Sequence, residues 1–229
     1  MNPINGGKSL IRQILDLSGI QVQRNLRSRL NQLKRSGANF RVVWDVGAHI
    51  GAWSEAASRK RAFKGADFVL FEANESHKTH LEKRQFPFHI AALGNESKEA
   101  AFFSIAGTGD SLYRENTSYY AAVEPTIVQL TTLDLLQDEF GLAKPDFLKI
   151  DVQGAEKDVI EGGRESLQHL QAALCEISVS SYNEGAPTLP MMFQVMEGLG
   201  LAPQAILEQH FHNGTLIQVD VLFARDDLL

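Results

Sequence analysis

A chain of 229 residues, 44% apolar and 22% charged, is an ordinary globular composition and is long enough to bury one substantial α/β core. Its net charge of -6 weighs against a nucleic-acid partner, since phosphate binding relies on a basic surface. Neither a membrane span nor a signal peptide is expected, because no run of eighteen apolar residues and no charged-then-apolar leader occurs; with the single Cys175 unable to form an internal disulfide, a cytoplasmic location follows.

The charge is uneven. Residues 1–41 hold eight Lys or Arg against one acid, Asp16, which puts +7 on the N-terminal segment and -13 on the remainder. Leu10, Ile14 and Leu17, then Leu26, Leu30 and Leu33, recur at helical spacing and predict two amphipathic helices broken near Ser18-Gly19. They would form a cap over residues 1–40. Its basic face is either solvated or offered to an acidic partner, an anionic substrate, a membrane surface or a second copy of the chain.

A single domain is expected over 41–229, in which strand and helix alternate as in a mainly parallel sheet covered on both faces. The predicted strands are 41–46, 66–72, 87–92, 146–151, 172–179, 201–208 and 215–224. Helices are predicted over 51–62, 76–85, 133–140, 155–169 and 188–199, with Gly162-Gly163 a weak point in the fourth. An insertion at about 98–131 carries Ala100–Ile105 and Thr126–Leu130 as two further strands around the polar loop Gly107–Tyr120, whose length suits a lid or binding element. Asn213-Gly214 is a strong hairpin signal between the last two strands. Cys175, in the apolar run of the strand at 172–179, reads as a small core residue.

The segment VVWDVGAHIGAWS, residues 42–54, fixes a buried strand, a glycine turn and a helix start. Its spacing, Asp-x-Gly-x-x-x-Gly, differs from the dinucleotide pattern Gly-x-Gly-x-x-Gly, which favours a cofactor without a pyrophosphate. Four such segments converge at the carboxyl edge of the sheet. After the Asp45–Gly51 turn comes Phe68–Glu72, whose terminal acid, about twenty residues beyond Gly51, can accept both hydrogen bonds of a ribose diol. The third, LKIDVQGAE, delivers Asp151 to a strand end and Glu156 to a helix start, where the helix dipole alone also favours an acid. The fourth places Glu176 inside an apolar strand, which is costly unless the acid is paired or functional.

The ordered series VWDVGAHIG, FVLFEAN, AALGN, GTGDSLY, LTTLD, LKIDVQGAE, EI at 176–177 and VDVLFAR resembles the FkbM-type family of S-adenosylmethionine-dependent methyltransferases over roughly residues 40–224. That resemblance implies a Rossmann-like class I methyltransferase fold, with a seven-stranded sheet ending in an antiparallel hairpin. It implies that Asp45, Gly47, Ala48, His49 and Gly51 line the methionine portion of S-adenosylmethionine. Glu72, followed by Ala73, would hold the ribose, Ala91-Ala92-Leu93 would flank the adenine, Asp151 would approach the methionyl amine, and Ser111 would add a contact. Two positions depart from the family pattern: Gln153 stands where Glu is usual, and Ala73 where Pro is usual. Gln153 cannot be an ionised base or an anionic metal ligand.

The activity implied is O-methylation of a hydroxyl on a small molecule or sugar. Asp151, Glu156 and Glu176 are the candidate bases, with His210 and His212 behind them. No His or Cys ligand spacing points to a metal. The alternatives are a nicotinamide-dependent oxidoreductase, disfavoured by the glycine spacing, and a scaffold module that keeps the cofactor fold without catalysis.

Overall fold

The computed structural model describes residues 26–104, 110–114, 123–179 and 183–228. The helix expected over Leu10, Ile14 and Leu17, and most of the Gly107–Tyr120 loop, lie outside the described residues. Helix α1 (Leu26–Arg35) buries Leu30 and Leu33 against Phe40 and Phe63, and turns Arg27 and Arg35 to solvent. Its apolar stripe is therefore satisfied by the domain itself.

In chain order the strands are β1 (Val42–Val46), β2 (Asp67–Glu72), β3 (Phe88–Ile90), β4 (Ala92–Leu93), β5 (Glu99–Phe102), β6 (Thr126–Thr131), β7 (Phe147–Ile150), β8 (Ala172–Ser178), β9 (Leu201–His212) and β10 (Thr215–Arg225). Seven of them form one sheet in the order β3-β2-β1-β7-β8-β10-β9. The first five of that series run parallel, while β10 is antiparallel to both β8 and β9. Strand order reverses between β1 and β7, which is where an open α/β sheet leaves a crevice beyond its carboxyl ends.

Alternation along each strand divides the core. Trp44, Val46, Leu148 and Ile150 face one cluster, with Leu133 of α4 (Leu133–Phe140), Val159 of α5 (Glu156–Glu161) and Met192 of α6 (Leu189–Gly198). Val43, Leu70 and Phe147 face the other, with α1, Ala57 of α2 (Ala52–Ser58) and Leu81 of α3 (Lys78–Leu81). Burial on both faces explains why the central strands are apolar apart from Asp45, Lys149 and Glu176. Cys175 is buried in the first cluster.

Several expected elements differ in extent, β9 among them, which runs on to His212 beyond the expected end at 208. The strand at 87–92 divides: β3 pairs with β2, the chain steps aside at Ala91, and β4 joins a separate three-stranded sheet, β4-β6-β5. The helix expected over 155–169 ends at Glu161. A Cβ on Gly162, just past that end, would lie 2.1 Å from the backbone oxygen of Gly94, so this close approach excludes a side chain there. The helix at 51–62 stops at Ser58 and resumes as a 3-10 turn over Arg61–Phe63, and that at 76–85 is reduced to a 3-10 turn over Glu75–His77 followed by α3. Among the described residues no helix is long and apolar enough to cross a membrane.

Candidate active site

A cleft of about 380 Å³ opens at the carboxyl edge of the sheet, lined from β1, β2, β7, β8, β9, β10 and the insertion. Its floor is the turn after β1. Gly47 there has φ 73° and sits so close to β7 that a Cβ would fall 1.8 Å from the backbone oxygen of Asp151. The amides of Gly47 and Ala48 both donate to the Phe71 carbonyl at 3.0 Å, which clamps the turn onto β2. His49 also adopts a left-handed conformation, φ 50°, and its amide donates to Glu72 Oε2 at 2.6 Å.

Glu72 joins the first two strand ends. Its Oε1 accepts the Asn74 amide at 2.8 Å and lies 3.4 Å from His77 Nδ1. The His77 ring packs edge-on against His49 at 4.2 Å between centroids. Asn74 in turn donates to Asp110 Oδ2 at 2.6 Å, so the insertion is tied to the same corner. Ala73, Ala91, Ala92 and Leu93 line the cleft beside Phe71 and form its apolar wall.

Ser111 lines the cleft but is buried. Its hydroxyl donates to the Gln153 backbone oxygen at 2.6 Å and accepts the Tyr113 amide, pinning the described part of the insertion to the loop after β7. Tyr113 donates to Asp158 at 2.7 Å, and burial with that bond pushes its phenol above its ordinary range.

Three of the expected residues, Asp45, Gly51 and Glu156, stand outside the cavity lining. Asp45 is buried beneath it and accepts the Ser54 hydroxyl at 2.6 Å, and burial raises its carboxyl against the pull of Lys149. Gly51 starts α2 in a left-handed conformation and packs on Leu70, Leu81 and Arg84. Glu156 is also off the cleft: Oε1 accepts the amides of Val152 and Gly154 at 3.0 and 3.1 Å, and burial, outweighing those donors, raises its carboxyl to about 7.

The remaining acids meet. Lys149, 7% exposed, donates to the Gly47 carbonyl at 2.9 Å and lies 3.4 Å from both Asp45 and Asp151. Burial would lower its ammonium; Asp151 and Asp45 together outweigh this and hold it above its ordinary value. Burial works against the Asp151 carboxylate in the same way, and Lys149 with the Gln153 amide keeps it ionised below the usual range. Gln153 Nε2 reaches Asp151 Oδ1 at 2.9 Å and Glu176 Oε2 at 2.5 Å, while Gln218 Nε2 reaches the same Glu176 oxygen at 2.9 Å. The amide at 153 therefore sits between two carboxylates, where a glutamate would add a third. Burial, then the charges of Asp151 and Asp220, raise Glu176 to about 9.

His210 and Asp220 complete this end. Strand β10 sets Asp220 opposite Glu176 on one side and opposite Glu208 on the other, and His210 Nε2 comes within 3.4 Å of Asp220 and 3.6 Å of Glu176. His212, further along β9, is exposed. Lys149, Gln218 and Asp220 escaped the sequence reading, although a lysine and an acid inside apolar strands carry the same signal that singled out Glu176. Asp110 and His77 carried no local signal, since the fold alone brings them to Glu72.

Comparison with known proteins agrees with this architecture. A search of curated sequences found the 2-O-methyltransferase NoeI of Sinorhizobium fredii (strain NBRC 101917 / NGR234), 35% identical over 80 residues, which is 35% of this chain and 33% of that protein. Among solved structures, methyltransferase FkbM from Methylobacillus flagellatus KT superposes with a TM-score of 0.50 at 14% identity, covering 88% of this chain and 48% of the other. The N-terminal domain of EvdMO1, solved in the presence of SAH and D-fucose, gives 0.50 at 9% identity over 90% of this chain and 84% of its own. The match to NoeI thus spans a third of that protein, and this chain spans about half the length of the FkbM structure. These superpositions place the fold in the Rossmann-like class I methyltransferase group, and because the methyltransferase FkbM domain model matches residues 45–201, the chain belongs to the FkbM methyltransferase family.

Proposed function

We propose that this chain transfers a methyl group from S-adenosylmethionine to a hydroxyl oxygen of a small, polyhydroxylated acceptor such as a sugar. The observation that carries the reading is the division of one cleft into two unlike ends, an apolar wall with a strand-end carboxylate at Glu72 and a carboxylate-rich end at Asp151, Glu176 and Asp220. The name of the curated relative, a 2-O-methyltransferase, supports an oxygen acceptor.

The residues at the first end suit the cofactor. Each Glu72 oxygen already accepts one backbone N–H, and each keeps a lone pair for a ribose hydroxyl. The wall of Ala91, Ala92 and Leu93 beside Phe71 accepts the flat adenine. When bound, the cofactor supplies a sulfonium-activated methyl group: its S–CH3 bond breaks as O–CH3 forms, and the acceptor hydroxyl loses its proton. The chain then has two tasks, to align the acceptor oxygen and to take that proton. Alignment of this kind lowers barriers by up to roughly 7–11 kcal/mol in favourable cases. We assign the proton to Asp151, which Lys149 keeps ionised and which opens on the cleft. Glu156 is committed to backbone amides, and Glu176 to two glutamine amides.

Titration calorimetry with S-adenosylhomocysteine, with NADH as the comparison ligand, tests the reading. Selective micromolar binding of S-adenosylhomocysteine is expected, weakened roughly 10- to 100-fold in Glu72→Gln, whose folded state circular dichroism would verify, because a carboxylate hydrogen bond contributes about 1.5–3 kcal/mol. Binding of NADH alone would overturn it in favour of an oxidoreductase.

A further inference from the structure

Four carboxyl groups gather at the acceptor end of the cleft. Asp151, Glu176, Glu208 and Asp220 all line it, and its buried cation, Lys149, is turned toward Asp45 and Asp151. Among the described residues no lysine or arginine makes an ion pair with Glu176 or Asp220; His210 alone faces both.

The separations there are informative. His210 Nε2 stands 3.6 Å from Glu176 Oε1 and 3.4 Å from Asp220 Oδ1, and the three donor atoms lie within 4.8 Å of one another. Charge-assisted hydrogen bonds draw such atoms to about 2.7–2.9 Å. Two ligands of one ion, with bonds of about 2.0–2.2 Å at octahedral to tetrahedral angles, stand about 3.0–3.5 Å apart. The spacing matches ligands better than hydrogen-bonded partners. Glu176 is also held for the task, because the amides of Gln153 and Gln218 both occupy Oε2 and leave Oε1 turned to His210. The three residues come from β8, β9 and β10, adjacent strands of the sheet.

We infer that Glu176, His210 and Asp220 bind one divalent transition-metal ion at the acceptor end of the cleft. One imidazole and two carboxylates suit Mn2+ or Zn2+. Three protein ligands leave coordination positions open toward the cleft. The ion's role, though not its binding, rests on the methyltransferase reading: it grips two neighbouring oxygens of a neutral acceptor diol and makes one hydroxyl acidic near neutral pH. That hydroxyl gives its proton to Asp151, and its oxygen takes the methyl group while the sulfonium becomes a neutral thioether.

The test is titration of chelator-treated protein with Mn2+, read by the electron paramagnetic resonance of the free ion, with S-adenosylhomocysteine titrated into the same wild-type sample. One Mn2+ per chain is expected. Binding should fall roughly 10- to 100-fold or more in both His210→Gln and Asp220→Asn, each verified as folded by circular dichroism, and persist in His77→Gln, which alters the Glu72–His77–Asp110 group at the other end. No stoichiometric Mn2+ or Zn2+ binding, unchanged affinity in a folded His210→Gln or Asp220→Asn protein, or loss in His77→Gln instead would overturn the inference. S-adenosylhomocysteine binding without Mn2+ binding would remove the ion and leave the methyltransferase reading standing, whereas the reverse would remove that reading and leave the ion.

Discussion

The ammonium of Lys149 donates a 2.9 Å hydrogen bond to the backbone oxygen of Gly47, so a buried cation on β7 holds the glycine turn that follows β1. The same group faces Asp45 and Asp151, one below the cleft and one opening on it. Removing one partner of a buried ion pair strands the other charge, at a cost of about 3–5 kcal/mol. Lys149→Met is therefore expected to destabilise the fold by that amount in urea titration and to weaken S-adenosylhomocysteine binding in whatever fraction remains folded. A variant as stable as the wild type would show that Asp45 finds its compensation elsewhere.

Glu156 should mark the pH dependence of stability. Its carboxyl rises from an unfolded value of 4.5 to about 7 on folding, because burial penalises the charge. The folded state thus binds the proton more tightly. Below about pH 4.5 both states are protonated and the group contributes no difference; as pH climbs, the unfolded chain ionises first and stability falls, until the loss is complete above about pH 7. At about 1.4 kcal/mol per pH unit the fall is about 3 kcal/mol. Glu156→Gln cannot ionise. Urea titrations of both proteins at a series of pH values should show the wild type losing stability relative to the variant across that window, and parallel curves would contradict the assignment.

The glutamine at 153 gives a rank-order prediction. Its Nε2 donates to both Asp151 and Glu176. Gln153→Leu removes those donors and should cost about 1–3 kcal/mol. Gln153→Glu removes them and adds a third carboxylate, so in metal-free protein at neutral pH it should be the less stable of the two. A glutamate variant no less stable than the leucine variant would mean that the added carboxyl is itself protonated or paired with a cation.

The fold was legible where burial writes itself into composition. β1, β2, β7 and β8 are covered on both faces, so their sequences are mainly apolar runs bounded by turns, with Asp45, Lys149 and Glu176 set among the apolar residues. The division of β3 from β4 was not legible, since Ala91 and Ala92 carry no periodicity, and neither was the close approach of Gly162 to Gly94 at the end of α5, because the two are far apart in sequence. The same distinction holds in the site. Glu72 and Asp151 end apolar strands and announce themselves, whereas the meeting of Glu176, His210 and Asp220 depends on pairing in the β9–β10 hairpin. That pairing shifts register between Leu216 and Gln218 and again between Asp220 and Val221, and no local pattern in the sequence reports such shifts.

Gly47 offers the sharpest test of the turn. Its φ of 73° is strained for any residue with a side chain, and the added methyl of Gly47→Ala would overlap the Asp151 carbonyl at 1.8 Å. That neighbour is backbone, so relief requires β1 and β7 to separate at their carboxyl ends. Separation would also break the amide clamp from Gly47 and Ala48 onto Phe71 and lengthen the Lys149 bond. Strain of this kind costs of order 1–3 kcal/mol before any clash is counted. The expected result is a protein with a lowered melting temperature that no longer binds S-adenosylhomocysteine, even at a temperature where circular dichroism shows it folded. Gly37→Ala is the matching control: φ there is 108°, yet nothing lies within 4 Å of an added Cβ, so it should lose some stability and keep the ligand. Retained binding in folded Gly47→Ala protein would show that the cofactor does not depend on this turn.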